Sequence, residues 1–108
     1  MVKLRRRREF EAVLASPRKA IVSPLFVVRL LARPDGPARL GIVASRKALA
    51  RAVDRNCAKR LVREAFRGTQ GELPAADIVV QVRGALASAT RAQARAELAA
   101  IFGRIAHA

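Results

Sequence analysis

The sequence predicts an α+β fold with the element order αβββαβα, on three observations. Short segments rich in Val, Ile and Leu at 25–32, 39–45 and 77–83 have strand length and end in Pro, Gly or polar punctuation. Two longer segments, opening near residues 55 and 90, instead repeat apolar residues every three or four positions. The first of these lies between the second and third strands, so a helical crossover joins that pair. At 108 residues, the expectation is one domain spanning 1–108.

Residues 5–15, RRRREFEAVLA, open the order as a short helix with Phe10, Val13 and Leu14 on one stripe. Ser16-Pro17 stops it, because the residue before proline is driven out of the helical region. KAIV at 19–22 reads as a short edge strand before Ser23-Pro24. LFVVRLLA at 25–32 is the next strand, and RPDGPA at 33–38 is a turn. With RLGIVAS at 39–45 following, these two strands are expected to form a hairpin. RKALAR at 46–51 is a basic connection. Asp54 is the expected N-cap of a helix starting at Arg55, and Gly68 its C′ residue. After the loop TQGELPAA, DIVVQVR at 77–83 is the last strand. A helix over Thr90–Ile105 closes the order, with Ala94, Leu98, Ile101, Phe102 and Ile105 as its apolar stripe.

Charge narrows the function. Lys and Arg number 22 against eight carboxylates, a net +14, and such an excess costs a compact domain self-repulsion that a polyanion relieves. Most of the cations are Arg, whose planar fork suits phosphate. No apolar run has the length of a membrane span, and no signal-peptide core follows MVKLRRRREFEAVL. The chain therefore reads as cytoplasmic, with no membrane partner. The single cysteine, Cys57, excludes an intrachain disulfide and reads as a small apolar group.

RAVDRNCAKRLVREAFR, residues 51–67, directs the charge. At about 100° per residue with Arg55 at zero, Lys59, Arg63, Asn56, Arg67 and Arg60 fall between about 40° and 140°. Cys57, Ala58, Leu61, Val62 and Ala65 fall between about 200° and 340°. The cations thus share one arc and the apolar residues the other. Like charges at i, i+4 destabilise a helix by a few tenths of a kcal/mol per pair, so the stripe opposes the fold and points to a partner. Arg46, Lys47 and Arg51 extend it into the preceding connection. A membrane-surface helix needs larger apolar residues than this one offers, and a duplex-DNA recognition helix follows another helix rather than a strand. Folded RNA, read through phosphates and shape, fits better.

Protein-based nuclease chemistry needs clustered carboxylates for metal or a histidine base. The only histidine is His107, next to the C-terminus, and the carboxylates are scattered. The polypeptide alone is expected to be inert, with no catalytic residue and no metal site.

DRNCAKRLVREAFR resembles the RNxxKRxxREAFR signature of the bacterial ribonuclease P protein subunit. LGIVASRK at 40–47 resembles the strand and basic turn before that signature, RRRREFEAVL the family's first helix, and LPAADIVVQVR its fourth strand. The resemblance implies an α-β sandwich with a left-handed βαβ crossover, a hand opposite to the general rule. It also implies a function: assisting a catalytic RNA that removes the 5′ leader of precursor tRNA, with Mg²⁺ held mainly by the RNA. The implied partners are ribonuclease P RNA and precursor tRNA, with no protein partner required. The implied RNA contacts are Arg46, Lys47, Arg51, Arg55, Asn56, Lys59, Arg60, Arg63 and Arg67. The implied leader cleft holds Phe10, Leu14 and Phe26, with Ser45 and Arg46 at its rim. Three positions depart from the family: Cys57 stands where Arg is common, Leu14 where an aromatic is common, and Arg29 near another aromatic position. Leader binding should therefore lean on charge more than on stacking. Composition alone leaves a ribosomal-type or chaperone-like RNA-binding protein as the alternative.

Overall fold

A computed structural model describes residues 3–16 and 18–107. The elements run α1 (Arg7–Leu14), β1 (Ile21–Val22), β2 (Phe26–Ala32), β3 (Arg39–Val43), α2 (Ala52–Thr69), β4 (Ala76–Val82) and α3 (Arg91–Ala106). Short 3-10 turns cover Gln70–Glu72 and Gly84–Ser88. The predicted order αβββαβα is therefore observed. The proline of the expected stop after α1 lies outside the described residues.

The four strands form one sheet in the order β1-β2-β4-β3. The expected β2–β3 hairpin does not form. β4 lies between the two strands, antiparallel to β2 and parallel to β3. The reason is visible in β4 itself, where Ala76 to Val80 and Val82 are all buried. A strand apolar on both faces needs neighbours at both edges and cover on both sides. A β2–β3 hairpin would have left it at an edge. The 18-residue α2 supplies the long crossover that a parallel β3–β4 pair requires.

The register sorts side chains onto two faces, since directly paired residues point the same way. Phe26 pairs with Val82, Val28 with Val80 and Leu30 with Ile78; Leu40 and Ile42 join the last two rows from β3. This closed face buries Ala58, Leu61, Val62 and Phe66 of α2 and the whole predicted stripe of α3 in one core. Phe66 meets Phe102 edge-on, ring centres 6.0 Å apart. The opposite face carries the rows Val27–Gln81–Val43, Arg29–Val79–Gly41 and Leu31–Asp77–Arg39. Among the described residues, α1 and Leu4 just before it lie over this face, burying Val13 against Val79.

The ends of α2 differ from expectation. The helix starts at Ala52, with Arg51 in extended conformation as its cap residue. Asp54 therefore sits in the first turn rather than at the cap, still at the positive end of the helix dipole. Gly68 does not end the helix. It lies within α2, and a Cβ there would meet nothing within 4 Å. The helix stops a residue later, where Thr69 Oγ1 donates back to Ala65 O at 3.1 Å, and the 3-10 turn then runs to Leu73-Pro74.

Candidate nucleic-acid interface

A chain of two ion pairs through Arg39 fixes α1 to the sheet. Arg39 on β3 donates from Nε and Nη2 to Asp77 at 2.7 and 2.8 Å. Its Nη1 lies 2.8 Å from Glu9 Oε2 on α1. The Asp77 hydrogen bonds lead in raising the Arg39 pKa further above its ordinary value. Glu9 also accepts the backbone N–H groups of Arg6 at 3.0 Å and Arg5 at 3.2 Å. These two bonds, followed by Arg39, hold its carboxyl below the usual range. One carboxylate thus caps α1 and pins it across β3.

Phe10 is positioned by this clip. It is half-buried, and its ring lies on the backbone of Gly41: a Cβ there would be 2.5 Å from Phe10 Cε1. Beside the ring, Leu4 donates its N–H to Leu40 O at 2.9 Å, running alongside β3. A cavity of about 190 Å3 opens here, lined by Lys3, Leu4, Phe10, Leu40, Gly41 and Ile42 together with Lys59 and Arg63 of α2. The aromatic of α1 and two cations of α2 therefore share one depression.

The remaining predicted cations divide. Arg46 and Lys47 are exposed on the turn before α2, and Asn56, Arg60 and Arg67 are exposed along its outer arc. Lys59 and Arg63 are half-buried at the margin nearest β3. Arg51 is exposed and lies 4.0 Å from Asp54; no ion pair among the described residues engages the other α2 cations. Arg55 is the exception. Its Nη1 donates to Leu49 O at 2.9 Å and Ala50 O at 2.8 Å, so it also closes the connection before α2. Cys57 is half-buried and packs against the core, consistent with its place on the apolar arc.

The predicted leader cleft needs one correction. Phe26 is fully buried and lies on the closed face, one residue out of phase with the open one, so it cannot line a cleft with Phe10. Leu14 is 38% exposed at the end of α1. Ser45 is exposed, and its Oγ accepts the N–H of Ala48 at 3.1 Å, shaping the turn that presents Arg46 and Lys47. The residues that do face α1's side include Val27, Arg29, Val43 and Gln81. Arg29 Nε donates to Gln81 Oε1 at 3.4 Å across β2 and β4. The signal for them was in the sequence, because Arg29 and Gln81 are the polar interruptions of two apolar strands. Gly41 was missed as well; only the closeness of the Phe10 ring explains it.

Among the described residues no three His, Cys, Asp or Glu side chains gather in a metal-binding group, and no helix is long and apolar enough to cross a membrane.

Comparison with known proteins shows the family and the fold. The family described as Ribonuclease P matches residues 1–106. The ribonuclease P protein component of Halorhodospira halophila is 43% identical over 90 residues, covering 83% of this chain and 74% of that one. That of Bordetella parapertussis is 42% identical, covering 96% and 91%. Among solved structures, the RNase P protein of Thermotoga maritima superposes with a TM-score of 0.82 at 34% identity, covering 97% and 98%. The Staphylococcus aureus RNase P protein gives 0.84 at 26%, covering 97% of each chain.

Proposed function

The chain belongs to the ribonuclease P protein family, and we propose that, as the protein subunit partnered with ribonuclease P RNA, it grips the precursor-tRNA leader and the RNA through two adjoining surfaces. The first is the outer arc of α2 with the turn before it: Arg46, Lys47, Arg51, Asn56, Lys59, Arg60, Arg63 and Arg67. Their guanidinium and ammonium groups would meet phosphates. The second is the open sheet face beside α1, where Phe10 and Leu14 offer apolar contact and Arg29 and Gln81 offer polar contact to a single strand.

The observation that carries the reading is the shared cavity of Phe10, Lys59 and Arg63. A strand lying on the open face would pass Phe10 and reach the α2 cations without leaving the protein. Cleavage itself would be the work of the RNA subunit. Mg²⁺ held there would activate water, and this chain would lower the repulsion between two polyanions and position the leader. Three of its own carboxylates are already engaged by cations: Glu9 and Asp77 by Arg39, and Glu11 by Arg7.

Reconstitution tests this. The purified chain should leave precursor tRNA intact at any Mg²⁺ concentration. Added to ribonuclease P RNA at low Mg²⁺, it should restore cleavage at the mature 5′ end. Cleavage by the chain alone would overturn the division of labour.

A further inference from the structure

The closed face is not covered to its edge. α3 ends at Ala106, and between its last turn and the β1 side of the sheet lies a cavity of about 380 Å3. This is twice the cavity beside Phe10, and it falls within the roughly 300–1,000 Å3 of small-molecule sites. Ile21, Leu30, Ala76, Ile105 and Pro74 give it apolar walls; Arg18, Lys19 and Arg104 complete the lining. No carboxylate lines it, and no ion pair among the described residues engages any of the three cations. Three like charges around one apolar hollow repel each other unless an anion sits among them. Ile21 belongs to β1, at the edge of the sheet opposite β3, and neither surface of the proposed interface includes any of these residues.

We propose that this corner is a second nucleic-acid site, holding one unpaired nucleotide of RNA. The base would lie against the aliphatic walls of Ile21, Leu30 and Ile105. Its phosphate would be met by the cations of the lining, Arg104, Arg18 and Lys19. An ordinary metabolite anion would use the cations and leave the apolar walls wet; a nucleotide uses both. The site does not depend on the leader cleft.

Methyl and amide NMR of the full chain, titrated with uridine 5′-monophosphate and separately with inorganic phosphate, tests it. Methyl signals of Ile21, Leu30 and Ile105 should shift with the nucleotide and not with phosphate. The doubly reversed variant Lys19→Glu/Arg104→Glu should weaken the nucleotide-dependent shifts at least tenfold in affinity. Should that variant not fold, Arg104→Gln should weaken them measurably, and the native titration decides on its own. Unmoved methyl signals, or shifts at Arg18, Lys19 and Arg104 that phosphate reproduces in full, would overturn the proposal.

Discussion

The ring of Phe10 occupies the space a side chain at Gly41 would need: Cε1 lies 2.5 Å and Cζ 2.7 Å from where a Cβ would stand. No native Cβ contact is that short, so the two residues define each other. The glycine is required by a close approach and not by its backbone angle, since Gly36 is the only glycine with positive φ among the described residues.

Gly41→Ala should therefore push Phe10 and α1 off the sheet, at about 1–3 kcal/mol by the usual cost of overpacking. Chemical denaturation reads this directly. The loss should be smaller in a Phe10→Ala background, because the clash is then gone. Additive losses would show that the two positions are not coupled.

Asp77→Asn should be costly for a different reason. The Asp77 side chain is 8% exposed and Arg39 25%, so the change leaves a half-buried guanidinium with only Glu9 as partner. About 2–4 kcal/mol is expected, toward the low end of what breaking a buried pair costs because Arg39 reaches solvent. Glu11→Gln breaks the exposed Arg7 pair and should cost no more than about 0.5 kcal/mol.

Acid should loosen α1 through Glu9. Its folded pKa is below the ordinary 4.5, so its contribution is complete above that value. It is lost as pH falls through the lowered one. Glu97 behaves alike: burial raises its pKa, but hydrogen bonds from Ser23, Leu25 and Gln93 outweigh this and leave it lowered. Urea midpoints of Glu9→Gln should lie below native near pH 6, and the gap should close as pH drops below about 4.5. A gap that widens in acid would contradict the assignment.

The cations of α2 should separate by role. Arg60→Ala with Arg63→Ala should weaken binding to ribonuclease P RNA and reduce the salt slope by about 0.7–0.9 per lost phosphate contact, with little change in melting temperature. Arg55→Ala should lower the melting temperature, since it frees the carbonyls of Leu49 and Ala50. If Arg55→Ala left stability untouched and cost only RNA affinity, its role would be that of its neighbours.

The residues account for what could be read from sequence. Helix periodicity is local, so the α3 stripe and most of the two arcs of α2 were legible; Phe66, at about 20° beside the cations, is nonetheless fully buried. Strand pairing is not local. The turn Pro34-Asp35-Gly36-Pro37 said that the chain reverses between β2 and β3, and it could not say that β4 would enter between them. The one clue was the β-branched run Ile78 to Val80 of β4, apolar on both faces as in a central strand. Phe26 was misplaced because an aromatic in a strand can face either side. Only the pairing with Val82 settles which. The clip from Glu9 through Arg39 to Asp77 joins residues far apart in sequence, and neither periodicity nor charge pattern marks it.

The central claim, that the open face beside Phe10 holds the precursor leader, is tested most directly by affinity of the reconstituted holoenzyme. Binding should be measured for precursor tRNA with a long leader, with a leader of one nucleotide, and with none. A long leader should bind tightest, and the advantage should vanish as the leader is shortened. Equal affinity for all three would contradict the account, leaving the α2 cations as a general RNA contact and the Phe10 cleft without a ligand.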